Sequence, residues 1–162
     1  MSEIARRALA VLAESTCVVG MGNPWRSDDG VGVHVARQLD GRAGLPPQIE
    51  VINVEDVLES YAFDIANRNV KNIVLVDAAM TPGLPAGSIV FGKVDDLEVA
   101  RWDVSTHKLA LRTVESVFRS AGKDTYLLGI VSANIDFGNE ISPPVLTAAA
   151  HVVDLVCSAR SS

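Results

Sequence analysis

The run Val18-Val19-Gly20-Met21-Gly22-Asn23-Pro24-Trp25-Arg26-Ser27-Asp28-Asp29-Gly30-Val31-Gly32 constrains this chain more than any other stretch. A short apolar segment enters a glycine turn, meets an acidic pair and opens a helix. Strand, tight turn and helix in that order are the start of a β-α-β unit in an α/β sheet. The turn has the outline of a nucleotide fingerprint, yet it delivers two carboxylates where a phosphate would sit. That mismatch points to cation or metal chemistry.

The rest of the chain continues the alternation. Apolar runs at residues 16–21, 49–54, 73–76, 88–91 and 126–131 read as strands, the third ending at Asp77. Residues 29–39 read as a helix with Val31, Val35 and Leu39 spaced by four. Residues 56–67 read as a second helix, with Leu58, Ala62 and Ile65 on one stripe. Residues 105–121 open with Ser/Thr capping chemistry and read as a third. Ser142-Pro143-Pro144 starts a last helix that runs to about Ser158, with proline tolerated in its first turn. Residues 41–47 and 81–87, rich in glycine and proline, are connections. Val/Ile/Leu strands of this kind are covered on both faces. The expected fold is a single-domain α/β, three-layer αβα sandwich with a twisted, mostly parallel sheet of about five strands.

At 162 residues the chain has the length of one domain. Its net charge of −6 argues against a general nucleic-acid binder. No apolar stretch is long enough to span a bilayer, so membrane insertion is not expected. Cys17 and Cys157 lack CxxC spacing and read as buried reduced thiols, which fits a cytoplasmic location. Residues 1–15 carry Arg6 and Arg7 ahead of a short apolar run that Glu14 interrupts. They read as an extension, either an amphipathic helix or a disordered arm, rather than a signal peptide. Residues 16–162 then form the α/β domain. A monomer is expected.

As a dinucleotide site the turn is poor. Gly20 and Gly22 fit G-x-G-x-x-G, but the third position is Trp25 and Gly30 comes too late. Asp28 and Asp29 would repel a pyrophosphate at the helix start. No Walker lysine follows, and no G-x-S-x-G elbow is present. Helix capping is the plainest account of the two aspartates, but it leaves Gly20, Gly22 and Asn23 unexplained.

In open α/β sheets, ligands bind beyond the carboxyl ends of the strands. Asp29 follows the first strand, Asp77 terminates the third, and His107 lies at the start of the helix after the fourth. Two carboxylates and one imidazole form a competent divalent site, suited to zinc or nickel more than calcium. The alternatives are ordinary: an aspartate after a strand caps a turn, and His107 is an exposed first-turn residue. His34 and His151 lie inside helices and read as surface or packing residues. Trp25 reads either as an exposed contact for a partner or as partly buried against the first helix. Residues 131–138 line the cleft or form a plain loop.

These residues together resemble the hydrogenase maturation endopeptidases. The family's opening motif, G-x-G-N-x-x-x-x-D-D/E-G-x-G, is complete from Gly20 through Gly22, Asn23, Asp28, Asp29 and Gly30 to Gly32. A strand ending in aspartate is matched by Ile73-Val74-Leu75-Val76-Asp77. A histidine opening a helix is matched by Ser105-Thr106-His107-Lys108-Leu109, and a late L-x-G-I strand by Leu127-Leu128-Gly129-Ile130. The resemblance covers residues 16–156. It departs from the family's pattern at residues 53–60, where many members carry a Gly-Thr/Ser turn; that bears on which substrate is recognised.

The resemblance implies an endopeptidase that removes the C-terminal extension of a nickel-loaded [NiFe]-hydrogenase large-subunit precursor. It carries Asp29, Asp77 and His107 over as the catalytic, metal-contacting residues, with nickel supplied by the substrate. The isolated protein then holds a surrogate such as zinc or cadmium, or no metal. Gly20, Gly22, Asn23, Asp28 and Gly30 shape the turn and support the site, with Asn23 a candidate for holding substrate backbone. The competing classes are a non-catalytic, metal-dependent binding module or chaperone for a metalloenzyme subunit and, third, a dinucleotide-dependent oxidoreductase.

Overall fold

A computed structural model describes residues 1–95 and 108–161. Among these residues five strands form one sheet: β1 (Thr16–Met21), β2 (Ile49–Glu55), β3 (Asn72–Ala79), β4 (Ile89–Lys93) and β5 (Asp124–Val131), in the order β2-β1-β3-β5-β4. β2, β1, β3 and β5 run parallel, and β4 closes the edge antiparallel to β5. The helices are α1 (Glu3–Leu12), α2 (Val31–Leu39), α3 (Ala62–Ala66), α4 (Lys108–Ser120) and α5 (Pro143–Ser158). The fold is therefore the α/β sandwich expected from the alternation.

Side chains alternate across a strand, so an unbroken apolar run feeds two cores at once. Val18, Val74, Val76, Leu128 and Ile130 point into one core with α1, α2 and α5. Cys17, Val19, Met21, Ile73, Leu75 and Leu127 point into the other, facing α3 and α4. Each helix buries a stripe at its own period. α4 contributes Leu111, Val114 and Phe118; α5 contributes Val145, Ala148, Ala149, Val152, Val153 and Val156. α1 starts at Ser2, whose hydroxyl accepts from Ala5 N at 3.1 Å, and it buries Ala8, Val11 and Leu12.

Several boundaries differ from the sequence reading: β2 runs on to Glu55, β4 spans Ile89–Lys93 and β5 starts at Asp124. β3 does not stop at Asp77; it continues to Ala79 because β5 keeps pairing with it, through Ala78↔Ile130 and Ala79↔Val131. The helix expected over residues 56–67 divides into a 3₁₀ turn, Leu58–Tyr61, and the short α3. Its stripe of Leu58, Ala62 and Ile65 is nevertheless buried. The helix expected from Asp29 begins as a 3₁₀ turn, Ser27–Gly30, before α2. The capping segment at residues 105–107, with His107, lies outside the described residues.

The strand order fixes where a ligand sits. The connections from β1 and from β3 lead to opposite sides of the sheet, so the two strands part at their carboxyl ends. The β1–β3 ladder runs from Thr16↔Asn72 to Gly20↔Val76. Asp77 is the first β3 residue beyond it, at the mouth of that gap.

Candidate functional site

The loop from β1 to α2 and the end of β3 meet around Gly22. Gly22 has φ +133°, a conformation that side-chain-bearing residues rarely adopt. A Cβ there would lie 1.9 Å from the Asp29 carbonyl oxygen and 3.5 Å from Asp77 Oδ1. Gly22 is thus the spacer that lets the Asp29 backbone and the Asp77 carboxylate come together. Gly20 and Gly32 serve a different purpose: a Cβ on Gly20 would strike Gly32 O at 2.3 Å, and one on Gly32 would strike Val76 O at 2.1 Å. They let α2 lie directly on β1 and β3. Gly30 leaves room for Pro24, whose Cα would be 2.8 Å from an added Cβ. The glycines of the motif are explained by backbone packing, not by a phosphate.

Asp29 and Asp77 are recessed, only 5% and 4% exposed. Each has one carboxylate oxygen oriented by a backbone N–H. Asn23 N donates to Asp29 Oδ2 at 2.9 Å, and Ala78 N donates to Asp77 Oδ1 at 2.8 Å. Glu55 O accepts from Gly22 N at 2.8 Å and holds the glycine turn against the end of β2. Among the described residues no three His, Cys, Asp or Glu side chains gather as a metal-holding group. The structure brings two of the three expected residues to one gap; His107 lies outside the described residues.

Asn23 is occupied within the turn. Its Oδ1 accepts from Trp25 N at 2.9 Å, an Asx turn that sets the path of the loop. Asn23→Ala removes that acceptor from an exposed N–H, so a loss of about 1 kcal/mol is expected. A small decrease in the urea midpoint with an unchanged slope would register it.

Asp28 does not cap its own helix. It is fully buried and reaches across to the segment between β5 and α5. Asp28 Oδ2 accepts from Ala133 N at 2.8 Å, Asn134 N at 3.0 Å and the Ser142 hydroxyl at 2.9 Å; Oδ1 accepts from Ser142 N at 2.6 Å. Burial pushes its pKa up, but the Ser142, Ala133 and Asn134 hydrogen bonds outweigh that and hold it below the usual aspartate value. The Ser142 hydroxyl donates to Asp28 and makes no side-chain cap bond to α5. Sequence reasoning placed Asp28 in support of the site without its partners, which lie more than a hundred residues away.

The two thiols are free, and burial pushes Cys17 up to about 11, which makes it a poor nucleophile at neutral pH. His34 is half-buried on α2 beside Arg37; burial, then the Arg37 charge, lowers its proton affinity. His151 is exposed on α5. No helix among the described residues is long and apolar enough to cross a membrane.

Comparison with known proteins assigns this chain to a family. The profile of the HycI family, hydrogenase maturation protease, matches residues 33–159. The chain is 24% identical over 132 residues to hydrogenase 2 maturation protease of Escherichia coli, covering 79% of each protein. Its fold is similar to that of a [NiFe] hydrogenase maturation protease, HycI, from Thermococcus kodakarensis, with TM-score 0.74, 23% identity and coverage of 93% and 96%. It is also similar to the endopeptidase HycI of Escherichia coli, with TM-score 0.75, 21% identity and coverage of 91% and 96%. With most of its length matched, this chain belongs to the hydrogenase maturation protease family and is a peptidase.

Proposed function

We propose that this chain removes the C-terminal extension of a nickel-loaded [NiFe]-hydrogenase large-subunit precursor, in the cytoplasm, and that Asp29, Asp77 and His107 contact the nickel the substrate brings. The observation that carries the reading is the placement of two oriented, recessed carboxylates where β1 and β3 part, in a chain of this family. Carboxylate oxygens with an imidazole nitrogen suit nickel or zinc.

Two aspartates at one gap repel each other, and a cation between them relieves that repulsion. Docking is then favoured only after the precursor has received its metal. A cation held by Asp29, Asp77 and His107 would supply Lewis acidity toward the scissile carbonyl or a water, and a carboxylate would take the water's proton. The chain acts as a monomer, and without substrate its site takes a surrogate such as zinc or cadmium, or stays empty.

The test is the intact mass of the hydrogenase large subunit from cells with and without this protein. An extension that persists only in its absence is the expected result. A mature large subunit in both would overturn the reading.

A further inference from the structure

Among the described residues, two other than glycine hold a left-handed backbone: Ser27 at φ +54° and Glu55 at φ +52°. That conformation is unfavourable for a residue with a side chain and persists only where its surroundings enforce it. Both residues bear on the loop from β1 to α2. Ser27 lies within it, two residues before Asp29, and Glu55 O accepts from Gly22 N at 2.8 Å.

Glu55 reaches Gly22 through an irregularity at the end of β2. At the start of the ladder Thr16 N donates to Gln48 O at 3.0 Å. Steps of two along both parallel strands lead from that pair to Gly22 N and Val54 O. The register instead shifts after Gly20↔Asn53, so that Met21 faces Glu55 and Val54 is the extra residue of a bulge. Val54 keeps its side chain in the core. The left-handed turn at Glu55 then aims its carbonyl at Gly22 N. Asn53 Oδ1 accepts from Glu55 N at 3.1 Å and holds that turn. The Glu55 carboxylate also pairs with Arg37 of α2 at 3.6 Å, but both side chains are more than half exposed, so the pair contributes little.

The backbone bond matters because of what Gly22 touches. A Cβ there would lie 1.9 Å from Asp29 O and 3.5 Å from Asp77 Oδ1, so a shift of Gly22 changes the spacing of the two aspartates. We propose that Glu55 is a positioning residue: its left-handed backbone, rather than its carboxylate, pins Gly22 and so sets Asp29 against Asp77 for cleavage. The role rests on the precursor-processing reading above. A misplacement of about 1 Å at reacting groups costs about a hundredfold in rate.

The test replaces Glu55 in the full chain by residues that differ in their tolerance of a left-handed backbone. Valine, branched at Cβ, resists it, whereas asparagine and glycine adopt it readily. In steady-state cleavage of the purified nickel-loaded precursor, kcat should fall about 10–100-fold in Glu55→Val, at a temperature where its melt shows it folded. Glu55→Asn and Glu55→Gly should recover most of that rate, although neither carries the charge that pairs with Arg37. The Gly22 amide, followed by hydrogen exchange in NMR spectra, should exchange at least about tenfold faster in Glu55→Val than in wild type and slow again in Glu55→Asn. Asn53→Ala removes the acceptor of Glu55 N and takes the place of Glu55→Val if that variant does not fold. It should lower kcat and speed Gly22 exchange together, and Asn53→Asp should reverse both. Full-rate cleavage by the folded Glu55→Val, or by Asn53→Ala in its place, overturns the positioning role alone. So does an equal loss in Glu55→Val, Glu55→Asn and Glu55→Gly, which would assign the effect to the carboxylate, or a loss of rate with unchanged Gly22 exchange. A wild-type chain that leaves the precursor uncut overturns the processing reading, and the positioning role with it.

Discussion

Asp29→Asn should abolish precursor processing while leaving the fold intact. The two halves of that result have separate physical causes. The amide keeps an oxygen that accepts the Asn23 N–H, now bonded to Asp29 Oδ2 at 2.9 Å, so the loop from β1 to α2 keeps its shape. The negative charge is lost, and with it the attraction for the divalent cation that the proposed function brings to the gap. A reduction in rate of about a thousandfold or more is expected, with a melting temperature within about 2 °C of wild type. Asp77→Asn should behave alike, because an amide oxygen there still accepts the Ala78 N–H. His107→Ala should also stop processing. Intact mass of the precursor over time, beside a thermal melt of each variant, measures both halves. Processing at the wild-type rate by any of the three variants would remove that residue from the site.

What the sequence made legible follows the range of the interactions. β1 is Thr16–Met21 as read, because a continuous apolar run ending in a glycine turn is a local signal. The stripe of Leu58, Ala62 and Ile65 was legible for the same reason, although the backbone carrying it is a 3₁₀ turn and a short helix. Periodicity reports which side chains face the core; it does not distinguish how tightly the turn is wound. The end of β3 was not legible. Ala78 and Ala79 have little strand preference of their own, and they are held in β3 by pairing with Ile130 and Val131. Asp29 and Asp77 were singled out because strand ends in this topology gather at one edge. Their recessed setting, and the spacer role of Gly22 between them, needed the tertiary arrangement.

Asp28 is the residue whose importance the sequence conceals most, and its removal should cost more stability than any other change considered. Asp28→Ala strands three backbone donors, from Ala133, Asn134 and Ser142, in a site with no exposure at Asp28 itself. Unsatisfied buried donors cost about 1–3 kcal/mol each, and partial access of water to the loops brings the expected total to about 3 kcal/mol. That corresponds to a fall of about 6–12 °C in melting temperature for a chain of this length. Activity should fall too, since the turn that carries Asp29 loses its tie to the segment between β5 and α5. The pH dependence gives an independent check. The Asp28 carboxyl is held below its ordinary value in the folded protein, so its ionised form stabilises the fold at neutral pH. That contribution is fully present above about pH 4 and is lost as pH falls through the lowered folded value. Asp28→Asn has no proton to gain there. Urea titrations at pH 7 and pH 3 should show a large stability gap between wild type and Asp28→Asn that narrows on acidification. A gap that stays constant, or widens, would mean that the brace does not depend on the charge of Asp28.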